Sequence, residues 1–547
     1  MKNKILYIIT ATVILLGQSC SKDELNVQNP NSPTPASAQT ESGIVALGLG
    51  AVYQNGFNGI SDSRYTGSWL GSSYFFLGPG YMDLLADVIS AEAANNITNQ
   101  IGVPDYYIDD NGNTVTNTAP ALGVARLNNS RTKAGSNMYF YEWAWMYYLN
   151  NACNGVLAIV DGTTFSGDAT TKKNTIKAWA YFWKGYAYSH IGSLYYAGLI
   201  KDNYVTTNNN FVTSAAMITA ANANFDLAIA ALGAVPTTAD YNKILSYLIP
   251  TNCQTGKGGL LTPTMWIHNI NTLKARNLLV NKKVSTMTSA DWNNVLTLAN
   301  SGITSTDLVF TARSAATNSF LSATSGSVAA LTVGNPTSTT YKISERLIQD
   351  FKTGDKRLTT NFSNATLYLN QKGGITYSTR YTLLDVPSNG AIVGYASKGV
   401  GTYELYIAGS YEENELMKAE ANIQLGNVAT GLTSVDNVRT YQGAGLTATS
   451  GNITDPVLAY EELRKERRVG LLFRGVSFYD ARRWGVIDDI AQGGTGRKNC
   501  VVVSTTGTLN VKATINYHFL DYWDVPDDEI SLNPPSANSA AVVNPKK

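Results

Sequence analysis

The stretch ERRVGLLFRGVSFYDARRWG, residues 466–485, decides how this chain folds. Within it, Asp480 can pair with Arg482 or Arg483, and Trp484 can pack against that pair. A dense cluster of arginine, aspartate and tryptophan at a helix end is more typical of a scaffold than of a chemical site, because buried charges have to be paired. The stretch therefore predicts an internal ion-pair network with a structural role.

A helix leads into this stretch. Asp455 and Pro456 form a strong start signal, because aspartate is a good N-cap and proline suits the first helical position. Glu461 can pair with Arg464 and Lys465, three and four residues further on, and such pairs stabilise a helix.

The chain has 41 Lys and Arg against 40 Asp and Glu, so its overall charge points to neither nucleic acid nor an anionic membrane surface.

Helical periodicity recurs upstream and downstream. Over 178–192, four aromatic residues fall on one helical face: Trp179, Phe182, Trp183 and Tyr186. Further helices are predicted over 139–160, 222–232, 264–280, 288–302, 406–425 and 430–441. Thr288 followed by Asp291 has the pattern of a capping box. Helix pairs joined by short loops predict tetratricopeptide-like hairpins.

Long segments of low charge separate these helices. They cover 100–137, 196–215, 303–340 and 362–404. Asn111-Gly112 lies between two short β-rich runs and predicts a hairpin turn. The expected fold is mainly α, with tetratricopeptide-like helical hairpins, long irregular loops and a few short strands in a single domain.

The sequence gives no support for a metal site, a cofactor or a nucleophilic triad. Beyond the N-terminal region the candidates are Cys153, Cys253, Cys500, His190, His268 and His518. Three cysteines cannot all pair, so free thiols are expected, with room for one disulfide. The histidines are far apart in the chain. Asp109, Asn111 and Asn113 resemble the start of a calcium loop, but Thr114 stands where such a loop needs glycine.

The N-terminus has the features of an export signal. Lys2 and Lys4 precede an apolar stretch over 5–16, which is too short to span a bilayer. It ends in Leu16-Gly17-Gln18-Ser19-Cys20, which resembles a lipobox. We therefore expect a signal peptide over 1–19, a lipidated Cys20 at the start of a flexible tether over 20–40, a folded domain over 41–535 and a polar tail over 536–547.

The C-terminal third resembles the SusD/RagB family in the order and spacing of its motifs. These motifs are Leu416 to Ala421 with Leu425-Gly426, Asn437-Val438-Arg439 with Ala444-Gly445-Leu446, Glu466-Arg467-Arg468, Phe473-Arg474-Gly475, Tyr479 to Gly485, and Asp524 to Ile530 with Asn533-Pro534. The resemblance covers about 40–535. Gly470 and Arg474 stand where the family usually has glutamate, and Ser477 where it usually has arginine, so one ion pair is expected to be rebuilt around Arg474. The structural signature comprises Glu466, Arg467, Gly475, Asp480, Arg483 and Trp484.

This resemblance implies a surface-exposed lipoprotein of the outer membrane of Bacteroidetes, in partnership with a SusC-like TonB-dependent transporter. Such a protein captures a nutrient, most often a glycan or oligosaccharide, and has no catalytic activity. Sugar capture requires exposed aromatic platforms. The candidates are Trp69, Tyr74, Phe75, Phe76 and Tyr81, followed by Phe310 and Phe320. Each of these aromatic residues could instead belong to the core.

Three alternatives remain open. A RagB-like protein captures peptide instead of glycan, and a helical-repeat scaffold binds only protein. A glycoside hydrolase needs two carboxylates about 5–9.5 Å apart across a cleft. Candidate carboxylates are Asp83, Asp87, Glu92, Asp527, Asp528 and Glu529. A cleft lined by aromatic residues would favour ligand capture over the scaffold.

Overall fold

The computed structural model describes residues 38–62, 65–70, 79–91, 101–313, 315, 341–364, 377–386, 388, 391–397 and 399–546. The predicted signal peptide and Cys20 lie outside these residues, as do Tyr74, Phe75, Phe76, Glu92 and Phe320. Helices form most of the described part, and the strands are short. The mainly α prediction is therefore confirmed.

The helices follow one another along the whole described chain. In chain order they are α1 (Glu41–Leu49), α2 (Asn55–Asn58), α3 (Pro79–Leu85), α4 (Ala121–Asn128), α5 (Met138–Val160), α6 (Ala169–Leu194), α7 (Ser214–Gly233), α8 (Ala239–Leu248), α9 (Pro263–Val280), α10 (Ser289–Asn300), α11 (Glu345–Ile348), α12 (Lys356–Asn361), α13 (Tyr411–Gln424), α14 (Val428–Tyr441), α15 (Pro456–Gly470), α16 (Ser477–Arg483) and α17 (Asp527–Leu532). Short loops make α5–α6 and α13–α14 into helical hairpins of the predicted kind.

The strands are two to eight residues long. They are β1 (Ile60–Asp62), β2 (Tyr65–Gly67), β3 (Ile89–Ala91), β4 (Tyr106–Ile108), β5 (Thr114–Thr116), β6 (Ala197–Gly198), β7 (Val212–Thr213), β8 (Thr311–Arg313), β9 (Tyr341–Ile343), β10 (Phe362–Ser363), β11 (Tyr377–Ser378), β12 (Thr382–Leu383), β13 (Glu404–Tyr406), β14 (Arg497–Ser504) and β15 (Leu509–Asn516). An antiparallel sheet has the order β11-β14-β15-β4-β5. Its β4–β5 edge is the hairpin predicted around Asn111-Gly112.

The aromatic face predicted on α6 forms the centre of the core. Trp179, Phe182 and Trp183 are fully buried there. The Phe182 ring centroid lies 4.9 Å from that of Phe310 and 5.9 Å from that of Phe225 on α7. Helix α7 is long and apolar enough to cross a membrane by length and composition, and in this fold it packs along α6.

Helix starts follow local side-chain chemistry closely. The capping box is present, because Thr288 accepts the Asp291 N–H while the Asp291 carboxylate accepts the Thr288 N–H. The prediction that a helix begins at residue 406 was wrong. Tyr406 ends β13, and α13 begins only after Ser410, whose hydroxyl accepts the Glu413 N–H.

One further segment differs from the sequence-based expectation. The segment 100–137, expected to be irregular, contains α4. The polar tail over 536–547 is held against the body of the protein along its described part. The Asp524 carboxylate accepts the Asn544 N–H at 2.7 Å, and the Lys546 Nζ lies 2.7 Å from an Asp488 carboxylate oxygen. Cys153, Cys253 and Cys500 are buried free thiols.

Candidate functional site

The structural signature of residues 466–485 builds a buried ion-pair network between α13, α15 and α16. The Arg483 guanidinium donates to both Glu420 carboxylate oxygens at 2.6 Å and to Asp480 at 2.8 Å. Arg467 donates to the second Asp480 oxygen at 2.8 Å. Burial opposes ionisation of Asp480, but Arg467 and Arg483 outweigh it and hold the pKa of this carboxyl below its usual value.

A second buried cluster joins α12, α14 and α15. The Glu466 carboxylate accepts hydrogen bonds from Arg357 at 2.6 Å and from Arg439 at 2.8 Å. Arg357 also pairs with Asp355, the N-cap of α12, at 2.8 Å. Because Glu466 and Arg467 lie near the C-terminal end of α15, these pairs fix the start of the following loop, residues 471–476, which carries Arg474 towards a surface cleft.

This cleft has a volume of about 630 Å³ and is lined by β13, the segment 391–397, α14 and Arg474. We refer to it as the tyrosine cleft, because its walls include Tyr395, Tyr403, Tyr406 and Tyr441. Its size is that of a small-molecule site. The flat faces of tyrosine rings are apolar and their hydroxyls are polar, which suits ligands that carry both kinds of surface.

Tyr441 is the tyrosine of the cleft that offers the most accessible ring, with 37% of its surface exposed. The Tyr411 ring lies 4.9 Å away from it, edge to face, and the Lys257 Nζ lies 5.4 Å from the Tyr441 ring centroid. Tyr395 and Tyr403 are buried deeper in the wall.

One rim of the tyrosine cleft is built around the Glu404 carboxylate. It accepts the N–H groups of Lys257 and Gly258, both at 2.9 Å, and pairs with Arg313 at 2.9 Å. Gly256 makes this approach possible, because its φ is +68° and a Cβ there would lie 2.0 Å from an Arg313 nitrogen. Glu404 is therefore engaged in holding the rim.

The inner wall carries polar groups with spare hydrogen-bonding capacity. The Arg474 guanidinium lies 3.5 Å from the Tyr406 ring centroid and 3.4 Å from one Glu412 oxygen. Burial opposes its charge, but Glu412 and the nearby tyrosines outweigh burial and raise the pKa of Arg474. Within the described residues, the other Glu412 oxygen and the Tyr395 hydroxyl are buried and have no hydrogen-bond partner. A ligand that donates hydrogen bonds could satisfy both.

The aromatic residues predicted to bind ligand lie elsewhere. Trp69 is 7% exposed and lines a smaller cavity together with Tyr186, His190 and Arg276. Tyr81 is 3% exposed and packs in the core, as does Phe310. Ligand binding by Trp69 and Tyr81 stays a prediction.

The sequence reasoning missed the four tyrosines of the cleft as a group. Tyr395 and Tyr403 lie in the low-charge segment 362–404, whose aromatic content was visible. Tyr406 and Tyr441 were assigned to helices. These four tyrosines have no regular spacing in the sequence and come together only in the folded protein. The sequence around each of them therefore does not indicate that they share a cleft.

The carboxylates considered for hydrolysis take part in structural contacts. The Asp87 carboxylate accepts two hydrogen bonds from the Arg346 guanidinium, at 2.8 and 2.6 Å, and one from the Tyr517 hydroxyl at 2.7 Å. Glu529 accepts the Trp143 indole N–H at 3.2 Å. Asp527 and Asp528 accept hydrogen bonds from the backbone N–H of Arg131 and the side chain of Asn137; these are contacts between α17 and the region around 129–137.

Asp83 gives the first testable prediction. Among the described residues, the Ser477 hydroxyl donates a hydrogen bond to its carboxylate, and burial raises the pKa of Asp83 to about 7. Between pH 4 and 7 the folded protein then holds a proton that the unfolded chain has released, so stability falls as pH rises. Relative to the wild type, Asp83→Asn should gain stability progressively between pH 4 and 7, by about 2–4 kcal/mol at pH 7, in urea titrations.

The matched control for this prediction is Asp226→Asn, which changes an exposed aspartate. It should leave the pH dependence of the wild type in place. Parallel stability curves for the wild type and Asp83→Asn between pH 4 and 7 would show that Asp83 does not titrate as described.

Comparisons with known proteins agree with this architecture. Residues 289–537 match the model of the SusD family. A SusD superfamily protein from Parabacteroides distasonis has a similar fold, with a TM-score of 0.57 and 12% identity over 90% of this chain and 98% of that one. Bacteroides fragilis NanU has a TM-score of 0.56 and 14% identity over 94% of this chain and 100% of that one.

A third structure, described as a SusD-like carbohydrate binding protein from Bacteroides fragilis, has a TM-score of 0.52 and 14% identity over 91% of this chain and 98% of that one. No curated protein sequence matches this chain. The low identities mean that these structures establish the shared fold alone. The match to the family model over residues 289–537, which contain the signature motifs, shows that this chain belongs to the SusD/RagB family.

Proposed function

We propose that this protein captures an oligosaccharide in the tyrosine cleft at the cell surface and delivers it to a TonB-dependent outer-membrane transporter. The observation that carries the proposal is the convergence of four tyrosines with buried polar groups on one cleft of about 630 Å³. Sugars combine flat C–H faces with hydroxyl groups, so aromatic rings and hydrogen-bonding side chains are the groups expected to bind them.

The cleft offers complementary groups at separate positions. The Tyr441 ring provides an accessible platform, and the Arg474 guanidinium can donate hydrogen bonds. The Glu412 oxygen and the Tyr395 hydroxyl lack partners within the described residues and can accept from sugar hydroxyls. A structurally similar protein from Bacteroides fragilis is described as carbohydrate binding, which supports the same ligand class here.

Anchoring through a lipid on Cys20 fits this role. The segment between Cys20 and Ala38 could span at most about 60 Å when fully extended. Acyl chains on Cys20 contribute about 0.8 kcal/mol for each buried methylene, which holds a protein on a membrane without a transmembrane helix. A cap tethered in this way could open and close over a transporter and remain attached.

The proposal includes no catalytic step. The two carboxylates that line the tyrosine cleft, Glu404 and Glu412, pair with Arg313 and Arg474 respectively. Both carboxylates are therefore engaged with a guanidinium group, which supports a binding role for the cleft. Binding without turnover is the consistent function.

Replacing Tyr441 with alanine tests the site. We expect the affinity for the best-binding oligosaccharide to fall about tenfold, since a stacked aromatic residue commonly contributes more than 1 kcal/mol to binding. Affinities are to be measured by isothermal titration calorimetry on the protein without residues 1–37, after a screen of oligosaccharides and peptides. The partial exposure of Tyr441 should keep the loss of stability small.

The control is Tyr247→Ala, on α8 outside the cleft, where the ring is 53% exposed. It should leave binding unchanged. If both variants bind oligosaccharide as the wild type does, the tyrosine cleft is not the site. If only peptides bind in the screen, the ligand class is wrong and the RagB-like alternative applies.

A further inference from the structure

A second cleft, of about 560 Å³, lies between α11, α15 and the start of β14. We refer to it as the basic cleft. Its cationic lining residues are Arg346, Arg464, Lys465, Arg468, Arg497 and Lys498, whereas Asp350 and Glu461 are its carboxylates. The cationic side chains therefore outnumber the carboxylates by a wide margin. This concentration is unexpected in a chain whose total charge is only +1.

Internal ion pairs account for only part of this charge. Arg346 and Arg497 both pair with Asp87 behind the cleft, at 2.6 and 3.5 Å. Arg468 pairs with Asp350 at 2.5 Å, and Arg464 pairs with Glu461 at 2.8 Å. Lys465 and Lys498 make no ion pair within the described part of the chain. An excess of positive charge therefore remains at the rim of the cleft.

We propose that the basic cleft binds a saccharide through its carboxylate or sulfate group, at a site separate from the tyrosine cleft. Lys465 and Lys498 would neutralise the anionic group, and Arg464 would donate hydrogen bonds to it. The uncharged lining residues Gln349, Thr495 and Asn499 supply groups that suit the hydroxyls of the same ligand.

Spare donors at the cleft support an anionic ligand. The Arg464 Nε and the Trp484 indole Nε1 are buried and have no hydrogen-bond partner among the described residues. The Arg464 guanidinium lies 4.9 Å from the Trp484 ring centroid, and this contact orients the N–H groups of the guanidinium. Burial and the repulsion from Arg497 lower the pKa of Arg468, and Asp350 and Asp87 offset only part of this effect.

The site can be tested by calorimetry with three probes: inorganic sulfate, glucuronate and glucose. Sulfate and glucuronate should bind with a saturating isotherm that weakens as NaCl increases, and glucose should not bind at this site. The double variant Lys465→Ala/Lys498→Ala should bind glucuronate at least about tenfold more weakly than the wild type. The reason is that hydrogen bonds to charged groups contribute more than neutral ones.

The control Lys133→Ala/Lys243→Ala removes the same charge from exposed positions outside the cleft and should keep wild-type affinity. Melting temperatures without ligand report whether each variant is folded, and the glucuronate-induced rise in melting temperature provides a second measure of binding. Tyr441→Ala should still bind glucuronate, so this proposal stands or falls independently of the proposed function.

Three results would overturn the proposal. Glucuronate could bind no better than glucose. The double variants Lys465→Ala/Lys498→Ala and Lys133→Ala/Lys243→Ala could also lose the same affinity for glucuronate. The protein without residues 1–37 could also bind vesicles containing phosphatidylglycerol through Lys465 and Lys498 while ignoring glucuronate. This last result would assign the cleft to a lipid headgroup.

Discussion

Replacing Arg483 with methionine is expected to destabilise the folded protein by about 3–5 kcal/mol, because it leaves two buried carboxylates without their shared cation. Arg483 is fully buried, as is Glu420, and Asp480 is nearly so. Methionine fills a similar volume, so the loss would come from charge and not from a cavity. Urea-unfolding midpoints and melting temperatures of the variant and the wild type measure it.

The matched control is Arg464→Met. Arg464 forms its ion pair with Glu461 at the surface, where both side chains are partly exposed, and such a pair contributes about 0–1 kcal/mol. If Arg483→Met lost no more stability than Arg464→Met, the buried network would not be what holds α13, α15 and α16 together.

A second large effect is expected at Gly443, which follows α14. Its φ is +71°, and a Cβ there would lie 2.0 Å from the Ala391 carbonyl oxygen. The Val393 N–H donates to the Gln442 carbonyl at 3.1 Å, so the segment 391–394 rests directly on this turn. Gly443→Ala should therefore displace a wall of the tyrosine cleft, cost about 2–3 kcal/mol of stability and weaken oligosaccharide binding.

Gly451→Ala separates the effect of backbone strain from the effect of the clash with the segment 391–394. Gly451 has a φ of +81°, but a Cβ there meets no atom within 4 Å. This variant should lose about 1 kcal/mol through backbone strain alone and should keep full affinity. Equal binding by both variants, measured by calorimetry, would mean that the 391–394 segment does not shape the binding site.

The parts of the fold that were predictable from sequence rest on local chemistry. The Thr288–Asp291 capping box, the Asp455-Pro456 start and the aromatic face of α6 each depend on residues within one or two turns. The prediction that a helix extends back to residue 406 failed because β13 pairs with β8, nearly a hundred residues away. That pairing overrides the helical tendency of the segment, and a single sequence carries no local sign of it.

The ion-pair network was only half predictable. Asp480 and Arg483 do pair, three residues apart on α16, as their spacing suggested. Arg482 does not join them, because its guanidinium donates to the backbone carbonyls of Ser193, Val280 and Asp521. The partner Glu420 lies 63 residues away, so its role emerges only when α13 packs on α16.

The tyrosine cleft was beyond sequence reasoning for the same physical reason. Its groups come from positions as distant as Lys257 and Arg474. Trp69, a predicted platform, lines a smaller cavity and lies edge-on to Trp183 with ring centroids 6.3 Å apart. Local hydrophobicity cannot distinguish an aromatic residue that faces a ligand from one that faces the core.

Capture without turnover can be tested directly with the protein that lacks residues 1–37. This protein is incubated with a mixture of oligosaccharides, and the complex is isolated by size-exclusion chromatography. Mass spectrometry then identifies the bound and the unbound saccharides. We expect one class of oligosaccharide to be retained at its original length, and Tyr441→Ala to retain less of it. Shortened saccharides that accumulate with time and with protein concentration would contradict this account.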